Sequence, residues 1–245
     1  MAPDDWSQAI ESRRIAGMGA LQSLLCRREL RLLMVGLGSS GKTSINQWWK
    51  HRRSAGATTP TQGFNIETFE HRSGSRRQAF AVWDIGGHHT TQMRQGLWRH
   101  YTAATDGLVF VVDCCDRERL PTARETLHDI LREFAEALSG VALLVLANKQ
   151  DLPSAVSVAE LTGHLGLEEL AGQGACGRWH VQPCRANSDA GEGLAEGLDW
   201  LSQSSRATAA WDTSRVTGSL GEASCFSRSA PSSGTAAAMP SSQTW

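Results

Sequence analysis

The sequence lacks the features that would place it in a secreted or membrane-spanning class. Its six cysteines form no CxxC pair and no signal peptide precedes them, which favours reduced cytosolic thiols over a disulfide framework. The apolar runs, such as GLVFVV and GVALLVLA, have the length of strands, so no transmembrane helix is expected. The net charge of −1 provides no global field for nucleic acid or an acidic substrate. We therefore expect a cytoplasmic protein without a nucleic-acid partner.

The order of short apolar segments along the chain indicates an α/β fold. Strands are predicted at 29–35, 64–70, 78–84, 107–113, 141–148 and 178–182. Helices are predicted at 41–50, 93–103, 118–138, 157–165 and 191–203. This alternation predicts a mainly parallel sheet with ligand-binding loops at the carboxyl ends of its strands.

The two ends of the chain differ in composition from its middle. From Ser202 onward the sequence is rich in Ser, Ala, Thr and Gly without a sustained apolar period, so residues 204–245 are predicted to form a disordered tail. The folded domain is predicted over 29–203, after a leader at 1–28. Up to Arg53 there are nine lysines and arginines against four acidic residues. This basic front end suits an anionic membrane surface, and a solvated face explains it equally well.

The segment GLGSSGKT, residues 36–43, has the G-x-x-x-x-G-K-[ST] pattern of a phosphate-binding loop and lies between a predicted strand and a predicted helix. Its glycines let consecutive backbone N–H groups turn towards phosphate oxygens, and the helix start adds the positive end of its dipole. Lys42 reaches the β- and γ-phosphates, and Thr43 offers a hydroxyl to Mg²⁺. The residues predicted to bind phosphate are Gly36, Gly38, Ser39, Ser40, Gly41, Lys42, Thr43 and Ser44.

A second motif, ANKQD at 147–151, follows an apolar run and indicates which base is bound. Asp151 can accept hydrogen bonds from N1–H and the 2-amino group of guanine, Asn148 can bond the ring edge, and the stem of Lys149 can lie along the base. Adenine has an acceptor where guanine has N1–H, and it lacks the amino group. Binding adenine would leave the carboxylate unmatched, a loss that can reach roughly 10⁴-fold.

With these two motifs the chain resembles the Arf and Arf-like small GTPases of the Ras-like superfamily, roughly over 26–203. The segments that carry the resemblance are LRLLMVGLGSSGKTS, TPTQGFNIETFE, WDIGG, LWRHY, GLVFVVDCCDRERL, LANKQDLP and GEGLAEGLDWLS. PTQGF after the first helix and the Trp before Asp84 are features of the Arf type. The resemblance implies a P-loop NTPase of the Ras-like G-domain class, with a six-stranded, mainly parallel sheet and helices on both faces.

The resemblance also assigns roles to matching residues. Thr61 is expected to bind Mg²⁺, Asp84 to hold Mg²⁺ through water, and the Gly87 N–H to bind the γ-phosphate. Loss of that phosphate releases two switch loops. Arg185 and Ala186 fall where the family has a base-contacting loop, in which Ala186 gives its N–H to guanine O6. Arg185 is unusual there, and the loop is slightly long. GTP or GDP with Mg²⁺ are therefore the expected ligands.

The catalytic position departs from the family pattern. Members usually have W-D-x-G-G-Q, where the Gln positions the attacking water, and His88 stands in its place here. A neutral histidine is shorter and has one acceptor nitrogen, so impaired intrinsic hydrolysis is expected. Gln92 is the alternative catalytic residue, because the following segment is longer than usual. Two further readings are a solvated loop pair at His88 and His89, and a metal site that adds His100.

Two other segments also differ from the family. The stretch EHRSGSRRQ at 70–78 predicts a longer, basic loop in the hairpin between the switches, which in the family is short and slides during activation. Arf proteins begin Met-Gly and are myristoylated, whereas this chain begins MAPDD. However, Met18 and Gly19 begin an M-G-x-x-x-[ST] pattern followed by an amphipathic stretch. Gly19 is therefore a candidate lipidation site if Met18 is a start, and a longer unlipidated leader is equally compatible.

Two functions follow from this reading. The first is a GTPase switch for membrane traffic that binds GTP on intracellular membranes, with the Golgi as one candidate, and GDP in the cytoplasm. Its partners would be an exchange factor, an activating protein, effectors and, reversibly, a membrane surface. The second is a GTP-bound adaptor that hardly hydrolyses. A P-loop kinase or ATPase is disfavoured by NKQD and by the absence of a candidate phosphate-acceptor lid.

Overall fold

The computed structural model describes residues 29–86, 102 and 105–216, with side chains as far as residue 205, and in this part of the chain six strands form one sheet. The strands are β1 (Leu30–Val35), β2 (Phe64–Ser73), β3 (Arg76–Ile85), β4 (Gly107–Asp113), β5 (Ala142–Asn148) and β6 (Trp179–Pro183). Their order is β2-β3-β1-β4-β5-β6, and all neighbouring pairs except β2–β3 are parallel. The predicted α/β fold with a mainly parallel sheet is therefore confirmed.

Helices cover both faces of this sheet. Their bounds are α1 (Lys42–His51), α2 (Leu120–Glu133), α3 (Ala135–Leu138), α4 (Val158–Leu165), α5 (Leu167–Gly172) and α6 (Leu194–Val216), with a 3₁₀ turn at Arg117–Arg119. On one face Trp49 of α1 packs in a core with Leu198 of α6, and on the other Leu127 of α2 packs with Leu161 of α4. Burying each leucine side chain stabilises the folded state by roughly 1.5–3 kcal/mol. The helices on both faces therefore stabilise the sheet.

The last helix is longer than predicted. It was expected over 191–203 and begins at Leu194, but it ends at Val216, so residues 204–216 are helical rather than the start of a disordered tail. Ser204 and Ser205 are buried, and Ser205 Oγ donates to the Asp106 carbonyl at 3.1 Å. From Ser202 onward the helix contains alanines and buried serines, of which Ser202 and Ser205 donate to backbone oxygens. These residue types do not produce an apolar helical period in the sequence. The remainder of the predicted tail, 217–245, lies outside the described residues.

The hairpin between β2 and β3 corrects the loop predicted at 70–78. β2 continues to Ser73 and β3 begins at Arg76, so the two strands are joined by Gly74 and Ser75 alone. Gly74 has φ of 57°, a left-handed backbone conformation that glycine adopts in a tight turn without the steric cost that a residue with a side chain would have. The extra residues therefore lengthen the strands, and Arg72 pairs in register with Arg77 near the tip.

β2 is an edge strand with one inward face. Along its outer half, Phe69 and His71 are turned inward while the alternate residues Glu70 and Arg72 are exposed. The His71 ring is buried between two polar partners: Nε2 lies 2.6 Å from Asp199 Oδ1 of α6, and Nδ1 lies 2.7 Å from Arg52 Nη2 just after α1. These hydrogen bonds hold the end of the edge strand against two helices.

Other predicted features either lie outside the described residues or differ from the observed helices. The leader at 1–28 with Gly19, and the helix predicted over 93–103 apart from Thr102, lie outside the described residues. The helix predicted over 118–138 is divided at Phe134, and the short helix α5 was not predicted. Within the described part of the chain, no helix is long and apolar enough to cross a membrane.

Candidate nucleotide site

The glycine-rich segment at 36–43 forms a tight loop between β1 and α1. Gly36 and Gly41 have φ of 146° and 99°, and Ser39 also has a positive φ of 65°. A Cβ on Gly36 would lie 2.3 Å from the Val111 carbonyl oxygen, and one on Gly41 would lie 2.2 Å from Asn148 Nδ2. Both backbone conformation and space therefore require glycine at these two positions.

The amino end of α1 has the features of an anion-binding site. Gly41 is its N-cap, no side chain caps the helix, and its first turn has no acidic residue, so its backbone N–H groups and dipole remain available. Lys42 is buried, and its Nζ donates to the carbonyls of Gly36 and Leu37, both at 2.9 Å. The ammonium thus lies inside the loop where phosphate oxygens are expected.

Three residues predicted to serve Mg²⁺ are brought together. Thr43 Oγ1 lies 2.8 Å from Thr61 Oγ1, and it donates to Asp84 Oδ2 at 3.2 Å. Asp84 Oδ1 is buried and has no hydrogen-bond partner within the described structure. An unpaired buried carboxylate oxygen beside two hydroxyls is the hard oxygen donor set that Mg²⁺ prefers, so these residues fit the ion.

Burial changes the protonation of two charged groups at this point. Desolvation lowers the pKa of Lys42 to about 8, against an opposing effect of Asp84. Desolvation raises the pKa of Asp84, against the charge of Lys42 and the hydrogen bond from Thr43. A phosphate near Lys42 and a cation near Asp84 would offset both desolvation costs, because each would favour the charged form.

The second motif lies beside the phosphate loop. Asn148, the last residue of β5, donates from Nδ2 to the Ser40 carbonyl at 2.8 Å and accepts from the Ala186 N–H at 3.1 Å. One side chain thus joins the phosphate loop to the predicted base loop. The Ala186 N–H, which the resemblance assigns to guanine O6, is directed at Asn148 Oδ1 in this structure.

Lys149 and Asp151 follow Asn148 at the edge of the sheet. Lys149 has φ of 67°, and its Nζ donates to Asp113 Oδ2 at 2.6 Å. The Asp151 carboxylate is 29% exposed, with Arg185 Nε 3.7 Å from Oδ2. The Arg185 backbone N–H is engaged by the Glu192 carbonyl at 3.0 Å. Asp151 therefore faces an accessible region in which a base edge can meet it.

Two residues of this site carried no predicted role. Arg119 donates from Nη1 to the Gly38 carbonyl at 3.0 Å and from Nε to Asp116 at 2.6 Å, so it supports the phosphate loop from outside. Asp113, which ends β4, pairs in register with Asn148 and binds the Lys149 ammonium. The signal for Asp113 is its place at the carboxyl end of a strand, while the contact of Arg119 has no local signature.

Some predicted site residues are not covered. Gly87, His88 and Gln92 lie outside the described residues, as do His89 and His100 of the alternative metal reading. Within the described residues no group of three or more His, Cys, Asp or Glu could hold a metal ion. Ser44 lies in the first turn of α1, directly after Thr43.

Comparison with known proteins decides the family. Residues 18–205 match the ADP-ribosylation factor family, which is more than half of the chain. The chain belongs to this family. A solved structure of the Arl6 BBS3 small GTPase from Trypanosoma brucei, with the bound nucleotide analogue GppNp, is similar at 33% identity and a TM-score of 0.60. The similarity covers 74% of this chain and 99% of that one. This Arf-type GTPase therefore has the P-loop, Ras-like G-domain fold.

Proposed function

We propose that this Arf-type GTPase is a magnesium-dependent guanine-nucleotide switch that regulates vesicle or membrane traffic. The observation that carries the proposal is the approach of Thr61 Oγ1 to within 2.8 Å of Thr43 Oγ1, beside Asp84. Thr43 belongs to the phosphate loop, whereas Thr61 belongs to the segment 54–63 between α1 and β2, here called the first switch segment. If a ligand requires both hydroxyls, the position of the first switch segment depends on whether that ligand is bound.

The first switch segment contacts Gly86, the residue directly after β3, through its backbone. The Gly86 N–H donates to the Gly63 carbonyl at 2.9 Å, and a Cβ on Gly86 would lie 2.3 Å from the Thr61 carbonyl oxygen. Bound Mg²⁺ would supply charge neutralisation for the phosphates at Thr43 and Thr61. Because Gly86 lies directly after β3 and packs against the Thr61 backbone, a movement of Thr61 changes the space available to the chain where it leaves β3.

Nucleotide-dependent fluorescence tests the switch. Trp83 lies beside Asp84 and is half-buried, with its ring 6.1 Å from that of Phe64, which directly follows the first switch segment. We expect tryptophan emission to change when GDP is replaced by a non-hydrolysable GTP analogue with Mg²⁺, and to stay constant when GDP is replaced by fresh GDP. The Trp83→Phe variant should show a smaller change. Identical spectra in both nucleotide states would contradict a switch.

Weakened hydrolysis is proposed from His88. The side chain that stands in the place of the family's glutamine is shorter and has a single acceptor nitrogen when neutral. We expect the His88→Gln variant to hydrolyse GTP about tenfold faster or more in a single-turnover assay, with and without an Arf-type activating protein. The same substitution also separates the alternative function, a GTP-bound adaptor. If the wild type hydrolyses GTP at a readily measurable rate that equals the rate of His88→Gln, both weakened hydrolysis and the adaptor are ruled out.

Nucleotide affinity should depend on pH through Lys42. Its pKa is lowered to about 8 in the free protein, and a bound phosphate favours the ammonium form, so GDP binding takes up a proton at higher pH. We expect GDP affinity to fall above pH 8, by at most about tenfold per pH unit. Titration calorimetry of the wild type and of Lys42→Arg, which stays charged, should give a flatter profile for the variant. Parallel profiles would contradict the role of Lys42.

The lowered pKa of Lys42 gives the stability of the nucleotide-free protein a pH dependence opposite in sign to that of GDP affinity. The unfolded chain, with the ordinary lysine pKa of 10.5, binds more protons than the folded protein between pH 8 and that value. The Lys42 contribution therefore makes the free protein more stable as the pH rises through this window.

Membrane association is proposed to involve the leader. A myristoyl chain on Gly19 would give only marginal binding, so the leucines and arginines that follow would have to assist it. In this proposal the protein moves between the cytoplasm and an intracellular membrane, the Golgi being one candidate, with an exchange factor, an activating protein and effectors as partners. Mass spectrometry of the native amino terminus tests the acylation, because a chain that begins uniformly at Met1 or Ala2 excludes it.

A further inference from the structure

The loop between β6 and α6, residues 184–193 and here called the base loop, makes contacts with α1 that the nucleotide site does not require. The Trp48 indole N–H donates to the Asp189 carbonyl at 3.1 Å. The loop turns back at Gly191, whose φ is 56° and whose added Cβ would lie 1.9 Å from the Trp48 ring. The Trp49 indole N–H donates to the Leu194 carbonyl at 3.0 Å. The base loop therefore packs on Trp48, and the start of α6 that follows it is bonded to Trp49.

The same loop holds the start of the first switch segment. The Ser54 backbone N–H donates to Asp189 Oδ1 at 2.9 Å, and Ser54 Oγ donates to Asn187 Oδ1 at 3.2 Å. Just before Ser54 the chain turns at Arg52, which has φ of 56° and places its guanidinium 5.0 Å from the centre of the Trp48 ring. The segment that carries Thr61 thus leaves α1 directly beside the base loop.

The other end of the base loop contacts the residues that face the base. The Ala186 N–H donates to Asn148, and Arg185 Nε lies 3.7 Å from Asp151. Asn187 and Asp189 come one and three residues after Ala186. A chain of short-range contacts therefore runs from Asn148, which also bonds the phosphate loop, through the base loop to Ser54.

We propose that Asp189 is a positioning residue that slows guanine-nucleotide release by holding the first switch segment against the base loop. The inference rests on the proposed function. A nucleotide held at its phosphates by the loop at 36–43 and at its base by Asp151 is enclosed by the segment that joins Ser54 to Thr61. Its departure requires that segment to move away from the base loop. The Asp189 carboxylate opposes this movement because it accepts the Ser54 N–H.

The test compares release rates in variants of the full chain. Each protein is loaded with fluorescent GDP in Mg²⁺ and chased with excess GDP. We expect Asp189→Ala to release GDP about fivefold faster, the rate equivalent of one ordinary hydrogen bond. Asp189→Asn should remain within about twofold of the wild type, because its amide oxygen still accepts from Ser54. Glu192→Ala is the matched control, since it removes an acidic side chain of the same loop that is bonded to Ser188.

Each outcome supports or overturns the proposal. Release from Asp189→Ala at the wild-type rate overturns it, and so does equal acceleration in Asp189→Asn or Glu192→Ala, which would indicate a charge effect or general loosening of the loop. If Asp189→Ala does not fold, as judged by its Tm, Asn187→Ala replaces it and should release GDP faster by removing the bond from Ser54 Oγ. A wild type that retains no guanine nucleotide contradicts the proposed function itself, so the two failures are distinguishable.

Discussion

Replacing Asp151 by asparagine is expected to weaken GTP and GDP binding by about 10³- to 10⁴-fold. The carboxylate can accept from both N1–H and the 2-amino group of guanine, whereas an amide would direct its own donor at one of these donors. Fluorescent-nucleotide titration measures the loss directly.

The same substitution should change the preferred base. Xanthine has a carbonyl where guanine has the amino group, so the amide of Asp151→Asn can donate to that oxygen and accept from N1–H. We expect the variant to bind xanthosine diphosphate more tightly than GDP. Asp129→Asn on the surface of α2 provides the same change of charge away from the site and should leave GDP affinity unchanged. Wild-type GDP affinity in Asp151→Asn would show that the base is not bound at this edge.

The second large effect is expected at Gly41. An added Cβ would lie 2.2 Å from Asn148 Nδ2, and the residue has φ of 99°, so Gly41→Ala must displace Asn148 or distort the phosphate loop. Displacement would also break the bond from Asn148 to the Ser40 carbonyl. We expect nucleotide affinity to fall by about 100-fold or more, the effect of losing two or more polar contacts to phosphate. Nucleotide content after purification and titration with GDP measure it.

A glycine in open space provides the control. Gly163 lies inside α4 and an added Cβ would meet nothing within 4 Å, so Gly163→Ala should keep full nucleotide content. Alanine in place of a helical glycine should stabilise the protein by about 0.5–1 kcal/mol. Equal nucleotide content in the Gly41 and Gly163 variants would show that the observed loop is not the phosphate site.

Much of the fold follows from local sequence patterns. The strands β4 and β5 are buried on both faces and appear as nearly continuous apolar runs, and β1 is buried except at Arg31, so the predicted positions of all three agree with the structure to within one residue. Elements that depend on distant partners were predicted less well. α5 has six residues, too few for a clear period, and α6 continues past Leu201 through the buried Ser205, which bonds to Asp106, far away in sequence.

In the candidate site too, local patterns were predictable from the sequence and contacts between distant residues were not. The phosphate loop and the residues after β5 could be placed together from sequence, because the carboxyl ends of parallel strands meet at one edge of the sheet. The approach of Thr61 to Thr43 came from the family resemblance. The bond between Ser54 and Asp189 joins residues 135 positions apart and has no local pattern. It became visible only when the two segments were placed in three dimensions.

The alternation along β2 limits how the hairpin of β2 and β3 can be displaced. A shift by one residue would turn the His71 ring to solvent, break its hydrogen bonds to Asp199 and Arg52, and turn the exposed Arg72 towards α6. A shift by two residues keeps the pattern of inward and outward side chains. A displacement of the hairpin that keeps this pattern of inward and outward side chains is therefore expected to cover a whole repeat of the pleat, about 6.8 Å.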